Sequence, residues 1–584
     1  MYERLDFVKT RTITGTPSEI LVEQLVASGV KYVFYNSGSR EALFFDALHS
    51  NPNIHGILAL HEGSVTSMAG GYTQVYNQPA VMVVHLGAGL AQAMGQFINV
   101  AFGGLPVVVI TFAGDTGSWV DRINLDFDHS FSPTSVARPM VKASWTVIDP
   151  EGLPAAVERA LQVAQTPPYG PVHLAVYDSM LSDRQVTTDI IDGVVSPLSA
   201  GKTSDADLEK VLHYLDQSER PMIYAGDGIW RNAGEGLAAE LATHFGAAVC
   251  GTNVDYRGIS IKHPHHLGEF EGSWTEYDPD LIFCLGVKHQ GTGYSSDHAP
   301  FRRLRKVGGN IIALGSSQPY ITNYPGLDFA LLGDEKDALQ RLLEKAKRDF
   351  PRTAYTSKRE NVLKASAKWR DTRRSAMMPD PVDGLVRPGL LIDILDKELE
   401  AIGGGVVTNE QTAASQESIP SGMPPYLNTY IRQAGGSEGW GVGAAIGAKL
   451  AAGDVPVVGF VGDGSLYYAE SGLWTAVHHS IPVLFVITNN VAYGIVAGFF
   501  DKAGGQMSDT RKFAGVSLEG IEPVKIASAF GMDGETVNDE TKVLEAIRRG
   551  FSVVNTEGRP YLIDFRLPSG LPEGGIPADQ YRMR

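Results

Sequence analysis

The sequence predicts an α/β protein made of three doubly wound parallel-sheet domains. Short apolar runs rich in β-branched and aromatic residues alternate with helix-like stretches, the pattern of parallel strands covered on both faces. The chain also holds 65 glycines among its 584 residues, which suits a tight turn at nearly every strand end. At ~100–200 residues per domain, such a length accommodates several separate cores.

In the first unit the candidate strands are Lys31–Tyr35, Gly56–Leu60, Ala80–Val84 and Val107–Thr111, with Val172–Val176 closing the layer. Helical stretches such as Ser18–Ser28 and Leu90–Phe102 lie between them. A stretch rich in Gly, Ser, Thr and Asp, Gly193–Asp207, reads as a linker. The second unit carries candidate strands Pro221–Tyr224, Ala247–Cys250, Leu281–Leu285 and Ile311–Leu314. Eight Lys/Arg between Arg352 and Arg374, followed by prolines at 379 and 381, read as a solvated helix and connector. The third unit begins near Pro388, with strands Val455–Val461, Pro482–Thr488 and Tyr561–Phe565. Domain limits of 12–190, 205–348, a linker at 349–385, 386–570 and a tail at 571–584 are expected.

Composition excludes several classes. The 66 acidic and 49 basic residues give a formal charge of −17, the wrong sign for a phosphate-binding surface, so no nucleic acid is expected. Two cysteines cannot build a disulfide framework, which points to a reducing compartment. No apolar run approaches the ~20 residues of a membrane span, and residues 1–20 show no secretory signal. A cytoplasmic protein with no membrane partner is the expectation.

The sharpest motif is Gly462-Asp463-Gly464-Ser465, with Asn490 27 positions after Asp463. A strand precedes each half, and a helical segment at Tyr468–His479 joins them, so a βαβ unit brings both to one sheet edge. Asp463 offers a carboxylate, Asn490 an amide oxygen and the turn at Val491-Ala492 free carbonyls. An all-oxygen set with one formal charge suits Mg²⁺ sharing its shell with phosphate oxygens. Gly464 allows close backbone approach, and Ser465 can donate to phosphate at a helix N-terminus. Taken singly, GDGS is also a turn with a cap and Asn489-Asn490 another turn.

These paired halves resemble the diphosphate motif of thiamine diphosphate (ThDP) enzymes. The resemblance assigns Mg²⁺ to Asp463, Asn490 and the carbonyl of Ala492, with Gly462, Gly464 and Ser465 at the diphosphate. It also implies an activating glutamate, which Leu58-Ala59-Leu60-His61-Glu62-Gly63 supplies as Glu62; standing alone, Glu62 reads as a helix N-terminal charge. Arg220–Gly226 resembles the start of the family's middle domain. The implied order is a pyrimidine-binding, a central and a diphosphate-binding domain, each Rossmann-like. Glu62 and Asp463 would then serve one cofactor from two chains, in a homodimer or homotetramer.

Within the family the chain looks most like the benzoylformate decarboxylase and acetolactate synthase branch. Asn36-Ser37-Gly38-Ser39-Arg40-Glu41 resembles the decarboxylase's substrate loop, giving Ser39 a contact with the substrate carboxylate and Gly38 close access. Val84–Gly89 resembles the segment with an active-site histidine, here His85, and Gln92 falls at a polar substrate contact. His85 equally reads as a histidine closing a strand end. His289 falls near the position of a second catalytic histidine, and by itself reads as a surface residue. Ala434–Gly441 resembles the segment supporting the bent cofactor, with Gly435 and Gly436 at the cofactor and Glu438 where Leu, Met or Ile is usual. His478 and His479, without further ligands at zinc spacing, read as helix-surface residues.

The implied reaction is decarboxylation of a 2-oxo acid, a small carbonyl substrate, with carboligation as a second activity. An acetolactate synthase-like transferase or a 2-hydroxyacyl-CoA lyase is the alternative, and a silent ThDP-binding scaffold the non-enzymatic one. A nicotinamide site is excluded because Gly226-Asp227-Gly228 and Gly441-Val442-Gly443 lack the sixth-position glycine.

Overall fold

A computed structural model describes residues 9–112, 133–177, 181–194, 198, 200–251, 258–269, 277–288, 299–324, 326–413 and 430–578. Three six-stranded sheets, parallel throughout, form its layers. Residues 1–198, 433–453 and 469–481 form one compact unit, and residues 199–432, 454–468 and 482–584 form another.

The sheet of the first unit runs in the order His55–Leu58, Tyr32–Tyr35, Ala80–Val84, Val107–Thr111, Val172–Val176, Ala143–Val147. Its central strands AVMVV, VVVIT and VHLAV are buried at every position, which is why they read as unbroken apolar runs. The helix Pro17–Ala27 starts with a reciprocal capping box between Thr16 and Glu19. The helix Leu153–Ala164 lays Leu153, Val157, Ala160, Leu161 and Ala164 on one face against the same core. An antiparallel pair, Lys9–Gly15 with Val186–Asp192, is an addition to the sequence reading. Its exposed alternation KTRTITG lacks the apolar character used to find strands.

The helix Glu62–Tyr76 packs against the helix Gly441–Ala452, which belongs to the same unit. Glycine makes the approach close. A Cβ at Gly447 would fall 1.9 Å from the Met68 carbonyl oxygen, and one at Gly71 2.2 Å from that of Ala444. His479 donates no surface charge here: its Nε2 accepts the Leu58 backbone N–H at 2.9 Å, and burial lowers its pKa. The expectation of a surface residue is thus corrected for His479, while His478 is exposed and stacks on Trp474.

The second unit holds two sheets. One runs His266–Glu269, Ala248–Gly251, Pro221–Ala225, Leu281–Leu285, Asn310–Gly315, Phe329–Leu332. The other runs Tyr430–Arg432, Val406–Glu410, Val457–Gly462, Leu484–Asn489, Tyr561–Arg566, Asp533–Val537. The basic run forms the helix Thr356–Ala376, which buries Val362, Ser366 and Trp369. Its Arg370 donates to the carbonyls of Ile261 and His263, so this helix is docked on the unit as well as solvated. The helix expected at Tyr468–His479 is confined to Ser471–His478, after a separate turn of helix at Asp463–Leu466.

Candidate active site

In the first sheet the chain steps outward in opposite directions from the neighbouring strands Tyr32–Tyr35 and Ala80–Val84. Loops leaving the carboxyl ends of two such strands diverge and open a crevice, the usual ligand position in a parallel sheet. Asn36–Arg40 leaves one strand and His85 leaves the other. Asn36 fixes the first loop by donating from Nδ2 to the Ala59 carbonyl at 2.9 Å.

His85 is the N-cap of the helix Leu86–Phe102. Its Nδ1 lies 2.9 Å from both carboxylate oxygens of Glu41, a buried residue. Gly38 sits beneath the ring: a Cβ there would fall 1.9 Å from Nδ1. Ser39 opens the 3₁₀ turn Ser39–Glu41 and is exposed, as is Gln92 farther along the helix.

Glu62 is the first residue of its helix, and His61 caps that helix by accepting the Gly63 N–H at 2.9 Å. The Glu62 carboxyl is half-buried and faces the start of the His85 helix, where a Cβ on Gly89 would come within 2.9 Å of its Oε1. Glu62 and the His85 helix therefore share one edge of the first sheet.

The loop at Gly435–Glu438 is clasped to that same helix. Buried Asn99 accepts the N–H groups of Gly435 and Ser437 at Oδ1 and donates from Nδ2 to the Ser437 carbonyl. Gln96 donates to the Glu438 carbonyl at 2.6 Å. Gly436 takes a φ of 72°, which favours glycine, and Gly435 leaves no room for a Cβ beside Ile98. The Glu438 side chain is exposed.

The third sheet repeats the crevice logic. Its direction of stepping changes between Val406–Glu410 and Val457–Gly462, and Asp463 follows the second of these strands directly. Asp463 is buried, and one carboxylate oxygen accepts the Gly464 N–H at 2.9 Å while the other accepts the Val491 N–H at 2.8 Å. Burial pushes its pKa up to about 6, although both hydrogen bonds favour the charged form. Val491 has a φ of 55°, and this turn sets Asn490 and Ala492 on either side of it. Asn490 donates from Nδ2 to the Ser569 carbonyl at 3.1 Å, which leaves Oδ1 as its acceptor. Below, Asn489 donates to Asp564 at 2.8 Å and accepts from Val491, while Thr536 and Arg566 also contact Asp564. Gly464 lies against Tyr493, with a Cβ–ring distance of 2.6 Å were a side chain present, and Ser465 is half-buried in the same turn.

These residues fit a cation that also binds phosphate. Asp463 is tied to the Asn490–Ala492 turn, so a carboxylate, an amide oxygen and a carbonyl belong to one constellation. Its buried carboxylate, raised in pKa by desolvation, is a group that a divalent ion would relieve. Among the described residues no group of three or more His, Cys, Asp or Glu is placed to hold a metal ion, so a closed protein cage is not what they offer. An open, oxygen-only set is typical of Mg²⁺ held jointly with a diphosphate.

Three family models match the chain: "Thiamine pyrophosphate enzyme, N-terminal TPP binding domain" over residues 16–131, the family's central domain over 208–342, and its C-terminal TPP binding domain over 415–565. Together they span more than half of it. The chain belongs to the thiamine pyrophosphate enzyme family. It is a ThDP-dependent enzyme of carbon–carbon bond cleavage or formation.

Relatives of this thiamine pyrophosphate enzyme include an acetolactate synthase large subunit of Buchnera aphidicola subsp. Acyrthosiphon pisum, 24% identical over 94% of each chain. A benzoylformate decarboxylase of Pseudomonas aeruginosa is 26% identical over 95% of this chain and 98% of its own. Among solved structures, the ThDP-dependent 4-hydroxybenzoylformate decarboxylase of Rhodococcus jostii gives a TM-score of 0.73 at 22% identity, covering 95% of this chain and 99% of that one. Benzoylformate decarboxylase from Polynucleobacter necessarius gives 0.74 at 20%, covering 96% and 99%. These two likenesses show a shared fold.

Of the residues singled out in the sequence, Gly38, His85 and Glu62 gather at one edge of the first sheet, and Asp463, Gly464 and Asn490 at one edge of the third. No hydrogen bond joins Ser39 or Gln92 to His85 among the described residues. His289 lies outside the described residues. Sequence reasoning passed over Glu41, Gln96, Asn99 and Asp564. Polar residues three apart in the apolar run Leu90–Phe102, and an aspartate inside the strand YLIDFR, were signals that could have marked the last three.

Proposed function

We propose that this thiamine pyrophosphate enzyme is a Mg²⁺-dependent decarboxylase of a 2-oxo acid. The observation that carries the reading is His85 held over Gly38 at the mouth of the loop Asn36–Glu41, on the same sheet edge as Glu62. Asp463, Asn490 and the Ala492 carbonyl would hold Mg²⁺, and Gly462, Gly464 and Ser465 would approach the diphosphate. ThDP, when bound, supplies a carbon nucleophile that adds to carbonyls and an electron sink for the bond that breaks beside it. Glu62 holds a proton at the aminopyrimidine ring. Ser39 binds the substrate carboxylate through its hydroxyl, Gln92 lies along the substrate's path, and His85 moves a proton near the reacting carbon.

A synthase-like carboligase is the second reading, favoured by the acetolactate synthase relative. Against it stands His85, since a proton-moving group near the reacting carbon favours release over transfer to an acceptor. Glu62 of one subunit acting with Asp463 of another would make the enzyme a homodimer or homotetramer. No described helix is long and apolar enough to cross a membrane, and two buried cysteines that form no disulfide fit the cytoplasm.

The test is incubation of the purified protein with ThDP and Mg²⁺ against 2-oxo acids including benzoylformate and pyruvate. Aldehyde release supports the decarboxylase, acetolactate supports the synthase, and silence across the panel overturns both in favour of 2-hydroxyacyl-CoA esters.

A further inference from the structure

We propose that Glu41 is a positioning residue that sets the orientation and tautomer of His85. The inference rests on the reading of His85 as a proton carrier and adds the group that makes it one.

Both Glu41 oxygens lie 2.9 Å from Nδ1 of His85. The glutamate side chain is 1% exposed and the histidine side chain 30% exposed, so the carboxylate is the buried anchor and the ring the accessible end. A carboxylate accepts and cannot donate, so Nδ1 must carry the proton in this pair. The neutral ring then presents Nε2 as its lone-pair nitrogen, and no hydrogen bond to Nε2 is found among the described residues. A histidine with one nitrogen fixed by a carboxylate and the other free has the division of labour needed for reversible proton transfer.

The backbone supports the same arrangement. Gly38 has φ −135° and ψ 164°, which any residue can adopt, so glycine is not needed there for its conformation. It is needed for room, because a Cβ would overlap the imidazole. Asn36 holds the start of this loop to Ala59, and the 3₁₀ turn carries Glu41 inward at its end. A glutamate serving only as a surface ion pair would need neither the burial nor the cleared floor.

The experiment compares the full-length protein with its Glu41→Ala, Glu41→Gln, His85→Ala and Glu41→Ala/His85→Ala variants. In ¹⁵N-histidine-labelled protein at about pH 8, His85 is expected as the Nδ1–H tautomer, identified by the signal lost in His85→Ala. Glu41→Ala should convert it to a mixture, and so should the isosteric Glu41→Gln, whose amide can donate or accept. An unchanged tautomer in both variants overturns the proposal. In the holoenzyme with benzoylformate or pyruvate, Glu41→Ala should lower kcat by about 10- to 100-fold with KM little changed. It should cost nothing further in the His85→Ala background; additive losses overturn the proposal, because Glu41 would then act apart from His85. Unchanged turnover in His85→Ala overturns the underlying reading of the site, and the tautomer result still judges Glu41.

Discussion

Glu62→Gln removes an ionisable group from the start of its helix and keeps its volume. Turnover is expected to fall about 100- to 10,000-fold, with calorimetric ThDP uptake retained; equal turnover would remove Glu62 from the chemistry. Asp564 is a residue of another kind. It has no exposed surface, burial raises its pKa, and Asn489, Thr536 and Arg566 converge on it. Asp564→Ala strands those partners inside a buried sheet edge. A loss of roughly 2–4 kcal/mol in urea unfolding is expected. The Val491 turn rests on Asn489, so weaker Mg²⁺-assisted ThDP uptake should accompany it.

At the scale of elements, the seam between the helices Glu62–Tyr76 and Gly441–Ala452 depends on absent side chains. Gly447→Ala inserts a methyl against the Met68 carbonyl, which is backbone and cannot rotate away. Destabilisation of about 1–3 kcal/mol is expected, read as a fall in the thermal midpoint. Two buried histidines, His263 and His265, precede the strand His266–Glu269, and a third, His266, begins it. Burial lowers His263 to about 4 and lowers His265 and His266 as well. Their ordinary value is ~6.5, so the unfolded chain takes up protons first as the pH falls. Their contribution is present in full above ~6.5 and is lost on acidification below it, for His263 over the range down to about 4. The unfolding free energy from urea titrations should therefore fall from pH 7 to pH 5, by roughly 1–2 kcal/mol for His263 alone, and replacing His263 with Gln should flatten the slope.

For the molecule as a whole, the N-terminal unit takes in residues 433–453 and 469–481 along with residues 1–198. A chain ending at Leu198 lacks the helix that covers Gly70 and Gly71. It is expected to lose near-ultraviolet circular dichroism and to bind a hydrophobic dye, as loosely packed states do; cooperative unfolding of that fragment would contradict this.

The same scale shows where sequence reading succeeds. The sheet strands AVMVV, VVVIT and LIFCL were legible because full burial leaves only apolar residues in them. The pair Lys9–Gly15 and Val186–Asp192 was not, because exposure along most of the first strand gives it a polar composition. Glu62 and Asp463 were legible as parts of spaced motifs at strand ends. The role of Glu41 was not legible, because its importance lies in a contact 44 residues away that no local pattern encodes.

The return of two late segments to the first unit also bears on how such genes can recombine. The glycine seam joins residues encoded far apart, and a methyl on either side would meet the backbone opposite. A crossover that takes the first third from one parent and the last third from another must bring together matched seams, so viable chimaeras should inherit both ends from one lineage and exchange the middle.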